Sequence, residues 1–258
     1  MAGEQETVLY RGLAAELRQA IEGGELAPGA QLATEADLAE EHGVSRNTVR
    51  LALAELQAAG LITTGRGRGG RHVQRREVLE FHGSVSESMA RADQRKTMGE
   101  GVDAWVADNS DQGRVGTQTI AVEIGRPPVK VAKLLAIAPA ALAVVRRRVR
   151  FSNGAPHNLN DTWFPADIAE EIPEIRNPDD VLQGTVQLMR DRGYDQKRYR
   201  DEIEARAPDP AEVLRLRIPS GWPVIIQTRT GYTEERPVKV TVTVWPGDRS
   251  RLIYEVPG

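Results

Sequence analysis

Apolar positions recur with a helical period in the first sixty residues and with a strand-like alternation after residue 116. Leu13, Leu17 and Ile21 repeat at i, i+4 and i+8, which predicts a helix that stops at Gly23-Gly24. "LAPGAQL" reads as a turn. "TEADLAEEHG" predicts a short second helix, with Thr34 as N-cap, Asp37 three residues on and Gly43 at its end. "VSRNTVRLALAELQAAGLI" predicts a third, capped by Ser45 and ended by Gly60. Only "HGVS" separates the second from the third, which is the spacing of a helix-turn-helix.

The third helix divides its labour. Val49, Ala52 and Leu56 form a packing stripe, and at 100° per residue Arg46, Asn47 and Arg50 lie broadly opposite, at the N-terminal end. In a helix-turn-helix that end enters the DNA major groove. Arginine can pair with guanine and asparagine with adenine, and Thr48 can serve a phosphate or a base. Which of them reads a base stays open. Leu51 is placed on the exposed side.

"LITT" and "RHVQ" predict two short strands around a Gly-Arg tip, a β-hairpin wing whose arginines would meet phosphates or a minor groove. Gly65, Gly67 and Gly70 also fit G-x-G-x-x-G. A dinucleotide site is excluded, because that motif needs a following apolar helix within a βαβ unit and here an arginine-rich strand follows.

Charge sharpens this picture. The chain carries a net −3, yet Val44 to Arg76 holds seven arginines against the single acid Glu55. Its distribution therefore points to nucleic acid where the total does not. A length of 258 residues suits two domains. There is no cysteine, which excludes disulfides and thiolate metal sites and fits a reducing cytoplasm. The first residues show no secretory signal, and the longest apolar run, Leu134 to Val145, is broken by Pro139 and too short for a bilayer. No membrane partner is expected.

The stretch from "LRQAIEGGELAPGAQLATEADLAEEHG" through "VSRNTVRLALAELQAAGLITTGRGRGG" resembles the winged-helix domain of the GntR superfamily of bacterial transcription regulators. The resemblance covers about 65 residues and carries DNA contacts onto Arg46, Thr48 and Arg50, with wing contacts near Gly67 and Arg68. Ala33 stands where the family usually has Pro. Ala36 stands where an Arg often touches DNA, so the operator is expected to depart from the family's common one.

Residues 77–115, "EVLEFHGSVSESMARADQRKTMGEGVDAWVADNSDQGRV", show no clear period and read as a linker with an irregular entry segment. From Gly116 the pattern is mixed. "TQTIAVEIG" predicts a strand and "PPVKVAKLLAI" a short helix. "ALAVVRRRVRFSNGAPHNLNDTWFP" predicts a hairpin with an Asn-Gly turn, and "NPDDVLQGTVQLMRDRGY" a helix. A strand, a short helix and a second hairpin follow, and "RLIYEV" is expected to close the sheet. The fold class is α+β: a winged helix-turn-helix over 1–76, and over 116–258 an antiparallel sheet with helices on one side.

"RRRVRFSNGAPHNLNDTWFPADI" and "RPVKVTVTVWPGDRSRL" resemble the ligand-sensing UTRA domain of the HutC-type branch, whose fold is similar to chorismate lyase. The resemblance implies an effector site lined by Arg148 and Arg150, Thr185, Asn160, Lys239 and Trp245. Two residues apart on a strand, Arg148 and Arg150 point to one face, and an anion between them would accept paired hydrogen bonds. An exposed basic run from Arg146 to Arg150 is the plain alternative. Asn160 and Lys239 replace family acids, which favours an anionic effector and equally fits a remodelled pocket. Trp245 either stacks on a ligand ring or sits in the core.

The four histidines form no H-E-x-x-H pair, and there is no G-x-S-x-G. The expectation is a cytoplasmic, homodimeric DNA-binding regulator, a repressor on a palindromic operator, without cofactor or metal and not an enzyme. The alternatives are a constitutive repressor whose second domain only dimerises, and an enzyme of the lyase-like fold.

Overall fold

The computed structural model describes residues 2–64, 70–74, 78–83, 104–181 and 184–255. They form two compact units, Met1–Val78 and Leu79–Gly258.

In the first unit, α1 spans Ala2–Glu22, α2 Glu35–Glu41 and α3 Arg46–Ala58. Their starts follow the side chains available. Thr34 Oγ1 accepts the Asp37 N–H at 3.2 Å while the Asp37 carboxylate accepts the Thr34 N–H at 3.2 Å, a reciprocal cap on α2. Ser45 Oγ accepts the Thr48 N–H at 3.1 Å and starts α3. Gly60 ends the third helix with φ +65°, a value a side chain resists. Leu13 and Leu17 of α1, Leu38 of α2, and Val49, Leu53 and Leu56 of α3 close one core. Each such side chain contributes about 1.5–3 kcal/mol on burial.

Strands β1 (Ile62–Thr64) and β2 (Arg71–Val73) pair antiparallel, so the base of the expected hairpin is formed. Its tip, with Gly67 and Arg68, lies outside the described residues. The segment read as a plain turn does more than turn. Leu32 N–H donates to Arg71 O and Val73 N–H to Ala30 O, each at 2.8 Å, which lays residues 30–32 along β2. Arg71 Nη1 also meets Glu35 Oε1 at 2.6 Å, fastening the hairpin to α2.

The second unit is built on six antiparallel strands: β4 (Gly116–Gly125), β5 (Ala143–Ser152), β6 (Ala155–Pro165), β7 (Arg198–Arg206), β8 (Val224–Tyr232) and β9 (Pro237–Pro246). Their order is β4-β5-β6-β9-β8-β7. The β5–β6 turn is Asn153-Gly154, with φ +49° and +76°, the left-handed pair a tight hairpin needs. Helices α4 (Ala104–Asp111), α5 (Val129–Leu134), α6 (Ala166–Glu171), α7 (Gly184–Asp191) and α8 (Pro210–Leu216) surround it, with a 3-10 turn at Pro173–Arg176.

The structure differs from the sequence reading at four points. "RLIYEV" does not close the main sheet: β10 (Ser250–Ile253) pairs in parallel with β3 (Leu79–His82) as a separate ribbon. The stretch 77–115 is not only linker, because β3 and α4 belong to the second unit; α4 is placed by Trp105, whose Nε1 donates to Phe151 O at 2.9 Å. Helices cover both faces of the sheet rather than one. Val144 and Phe164 pack with α6 and α7, while their neighbours Val145 and Trp163 pack with α5, and α8 adds Leu216 beside Leu159 and Ile226. Last, α7 spans Gly184–Asp191, and Asn177 and Asp179, read as part of its start, instead give their backbone oxygens to Arg146.

Candidate functional site

The first unit presents a polar end on α3. Arg46, Asn47 and Arg50 are exposed, and Val49, Ala52, Leu53 and Leu56 are buried on the other side. Arg50 Nη2 donates to Asn47 Oδ1 at 2.6 Å, so the two side chains stand together at the surface. Leu51 is exposed beside them. Thr48 departs from expectation: it is buried, its hydroxyl lies 2.8 Å from Ser45 Oγ, and it serves the start of the helix. Its position in the capping turn, next to the hydroxyl that accepts its own N–H, explains why it is drawn inward.

The second unit holds its cations differently. Residues paired across antiparallel strands share a face. Arg148 pairs with Asn160, Asn160 with Thr243 and Thr243 with Gln227, so these four define an inner face across β5, β6, β9 and β8. Arg146, Arg150, Asn158, Thr162 and Thr241 continue it by the two-residue period. Thr162 Oγ1 lies 3.3 Å from Asn160 Oδ1 and 3.3 Å from Thr241 Oγ1, and Asn160 Nδ2 donates to Thr243 Oγ1 at 2.9 Å. Arg148 Nη1 approaches Thr162 Oγ1 at 3.4 Å.

An exposed basic run is therefore not what Arg146 to Arg150 form. Arg146 is 0% and Arg148 6% exposed. Arg146 donates to the backbone oxygens of Ile175 at 3.2 Å and Asp179 at 2.7 Å, and to that of Asn177, so it organises the 173–179 loop. Arg147, on the opposite face, pairs with Asp161 and with Glu123 at 3.2 Å. Arg150 sits 5.6 Å above the Trp105 ring and reaches Gln118 Oε1 at 3.4 Å.

Lys239 is 6% exposed on the inner face. Burial, and then the charges of Arg229 and Arg148, lower its pKa to about 7. Arg229 is already neutralised: its Nε and Nη2 donate to the Asp201 carboxylate at 2.7 and 2.6 Å. Tyr254 Oη donates to Asp201 at 2.7 Å, and burial followed by that carboxylate pushes its pKa up to about 12. Arg229 Nη2 also donates to Gly83 O at 2.5 Å, which ties the end of β3 to the inner face.

Trp245 is 1% exposed, with Phe81 4.9 Å and His157 5.9 Å away between ring centroids. His157 is buried, and desolvation with the nearby Arg249 charge lowers its pKa to about 4, so it is neutral at pH 7. Trp245 Nε1 and both amide atoms of Asn158 are buried without a hydrogen-bond partner among the described residues. Thr185 stands apart from this group, half-buried on the first turn of α7, whose Leu188 and Met189 pack on the same side of the sheet as Val144. Sequence reasoning missed Asn158, Gln227, Arg229 and Asp201. For two of them the signal was present in "VIIQTRTGY", where Gln227 and Arg229 fall two apart on one face of a strand.

Comparison with known proteins agrees with both halves. Residues 9–71 match the model of the gntR family of bacterial regulatory proteins, and residues 111–251 match that of the UTRA domain. The transcriptional regulator GgaR of Escherichia coli K12 is 24% identical over 92% of this chain and 86% of its own. The transcriptional repressor NagR of Bacillus subtilis is 25% identical over 95% and 93%. A solved GntR-family regulator superposes with a TM-score of 0.64 at 26% identity, covering 97% of this chain and 98% of that one. PhnF of Mycobacterium smegmatis shares the fold at a TM-score of 0.56 and 22% identity, over 95% and 99%.

Head, sheet and matches together define a DNA-binding transcription regulator with an effector-binding domain, and not an enzyme. The chain belongs to the GntR family of bacterial regulatory proteins, in its HutC-like, UTRA-containing branch.

Proposed function

We propose that the chain is a cytoplasmic repressor that binds a two-fold symmetric operator as a homodimer and releases it when a small anion occupies the inner face of the six-stranded sheet. Arg46, Asn47 and Arg50 read bases, and Gly67 and Arg68 bring the wing to the backbone. Two relatives, NagR and the histidine utilization repressor of Pseudomonas putida, carry the word repressor in their names, which supports the sign of regulation. Among the described residues no helix is long and apolar enough to cross a membrane.

The observation that carries the effector reading is the buried Lys239 ammonium. It lies on the inner face, and the charges that act on it are themselves positive. A buried charge is costly unless it is paired, and an anion would pair it, with Arg148 on the same face as a further donor. The unsatisfied Asn158 amide and Trp245 N–H favour a ligand bearing hydroxyls or carbonyls as well as charge. Asn160, held by Thr243, adds an amide to the same face. Release follows from linkage, since the anion weakens operator binding only through its differential affinity for the two states.

A thermal-shift series with phosphate- and carboxylate-bearing metabolites tests this. At least one compound is expected to raise the melting temperature and to release operator DNA, and Arg148→Gln is expected to abolish both effects. A flat series, with intact operator binding, leaves the second domain as a dimerisation module and ends the effector reading.

A further inference from the structure

Of the chain's five lysines, Lys130, Lys133 and Lys197 are exposed, whereas Lys239 is buried on the inner face of the sheet. Among the described residues its amine makes no hydrogen bond or ion pair. Asp201, the acid on that face, is taken up by Arg229, Tyr254 and Gln227. Lys239 stands in register with Gly231, and paired residues share a face. Above Gly231 lies an amide: a Cβ added there would sit 2.4 Å from Gln196 Oε1. Gln196 is 7% exposed, and its Oε1 is buried without a hydrogen-bond partner among the described residues. An uncharged acceptor thus stands beside the lysine where a carboxylate would have kept it protonated. Thr241, two residues from Lys239 on the same face, has its hydroxyl 3.3 Å from that of Thr162, and Arg148 Nη1 comes to Thr162 Oγ1 at 3.4 Å. The Arg148 guanidinium therefore reaches along the face towards the strand that carries the lysine. Burial, and then the Arg229 and Arg148 charges, bring the Lys239 pKa to about 7, so ammonium and free amine are both populated at neutral pH. A free amine is a nucleophile, and desolvation beside other cations is what prepares a lysine to attack a carbonyl carbon.

We infer that Lys239 holds the effector covalently, as an imine with the carbonyl carbon of a small 2-oxo acid whose carboxylate pairs with Arg148. The inference rests on the effector site proposed above and names the class of ligand that fills it. The Nζ lone pair attacks the carbonyl carbon, the C=O π pair moves to oxygen, and one proton passes from nitrogen to that oxygen to give a carbinolamine. Gln196 Oε1 is an acceptor for its hydroxyl. The C–O bond then breaks as the nitrogen lone pair forms C=N, and the hydroxyl leaves with the second amine proton as water. One amine and one carbonyl give one imine and one water, with nothing oxidised or reduced. Protonation of the imine by solvent restores the positive charge beside the carboxylate, so the bound state still gains from a proton when pH rises above 7. The planar guanidinium of Arg148 matches a carboxylate with two parallel N–H donors.

The test uses the native full-length chain. It is incubated at pH 7 with pyruvate, glyoxylate or 2-oxoglutarate, treated with cyanoborohydride, which reduces an imine to a stable secondary amine, and digested for mass spectrometry. Lactate, with a hydroxyl in place of the carbonyl, is the control. At least one oxo acid is expected to label Lys239 to saturation at one adduct, ~tenfold or more above any other lysine, because a lysine of ordinary pKa has little free amine at pH 7. Lactate is expected to leave no adduct. Label spread evenly over the lysines, or none on Lys239 with any of the three acids, overturns the inference. If a phosphate or carboxylate metabolite still raises the melting temperature and releases operator DNA, the effector reading survives that loss; if none does, both fall. In Lys239→Arg, which keeps the charge and cannot form the imine, trapping is expected to vanish. An adduct of equal yield on that chain would place the carbonyl elsewhere and also overturn the inference.

Discussion

The two units of this chain use arginine in opposite ways. On α3, Arg46 and Arg50 stand in solvent, while on β5 Arg146 and Arg148 are buried. A solvated cation loses little while it waits, and it gains when a polyanion arrives and counterions leave. A buried cation has no such reserve. It must be met inside the fold, as Arg146 is by backbone oxygens, or by something bound, as we propose for Lys239. The same residue type thus marks a docking face in one unit and an internal demand in the other.

The comparison can be broken most forcefully at Arg146. Arg146→Met is expected to strand the carbonyls of the 173–179 loop and destabilise the second unit by about 3 kcal/mol, read from urea unfolding. A change below ~1 kcal/mol would mean that the buried arginine is not structural. Arg50→Ala comes next: about 1–3 kcal/mol of operator affinity, with relaxed specificity at one base position. Its thermal response to effector should not move, and equal loss on all sequences would make Arg50 a phosphate contact.

Lys239 sharpens the contrast through pH. Its folded pKa, about 7, lies below the unfolded value of a lysine, so between those values the unfolded chain holds the extra proton. Stability in the absence of ligand should therefore rise with pH above 7. Anion affinity should run the other way, falling by at most ~tenfold per pH unit above 7, because the anion favours charged Lys239. Titration calorimetry at pH 6 and 8 checks this, and Lys239→Met should flatten the profile. The smallest effect belongs to the wing, where Arg68→Ala is expected to reduce the salt slope of DNA binding by ~1. An unchanged slope would remove Arg68 from the contact.

Much of this was legible in the chain itself, for reasons that differ between units. The head is written in local signals. Caps at Thr34 and Ser45, the stop at Gly60 and the Val49–Leu56 stripe each depend on neighbours a few residues away. The sheet's strands were equally legible, because alternation is also local. What alternation cannot give is what covers each face. Lys239, Thr241 and Thr243 have the pattern of a water-facing row, yet Lys239 and Thr243 are buried. Arg146 looked like part of an exposed run because its partners are backbone oxygens some thirty residues on. The pairing of β3 with β10 was invisible for the same reason.

That last pairing sets a timetable. Glu80 and Arg251, joined across the ribbon at 2.8 Å, are 171 positions apart in the chain. A ribosome delivers the head first, and the head's hydrophobic core is drawn from residues between Tyr10 and Ile62. The aromatic contact of Phe81 with Trp245 cannot form until nearly the whole polypeptide has emerged. Each newly made molecule can therefore complete its reading helix before its sensor is assembled.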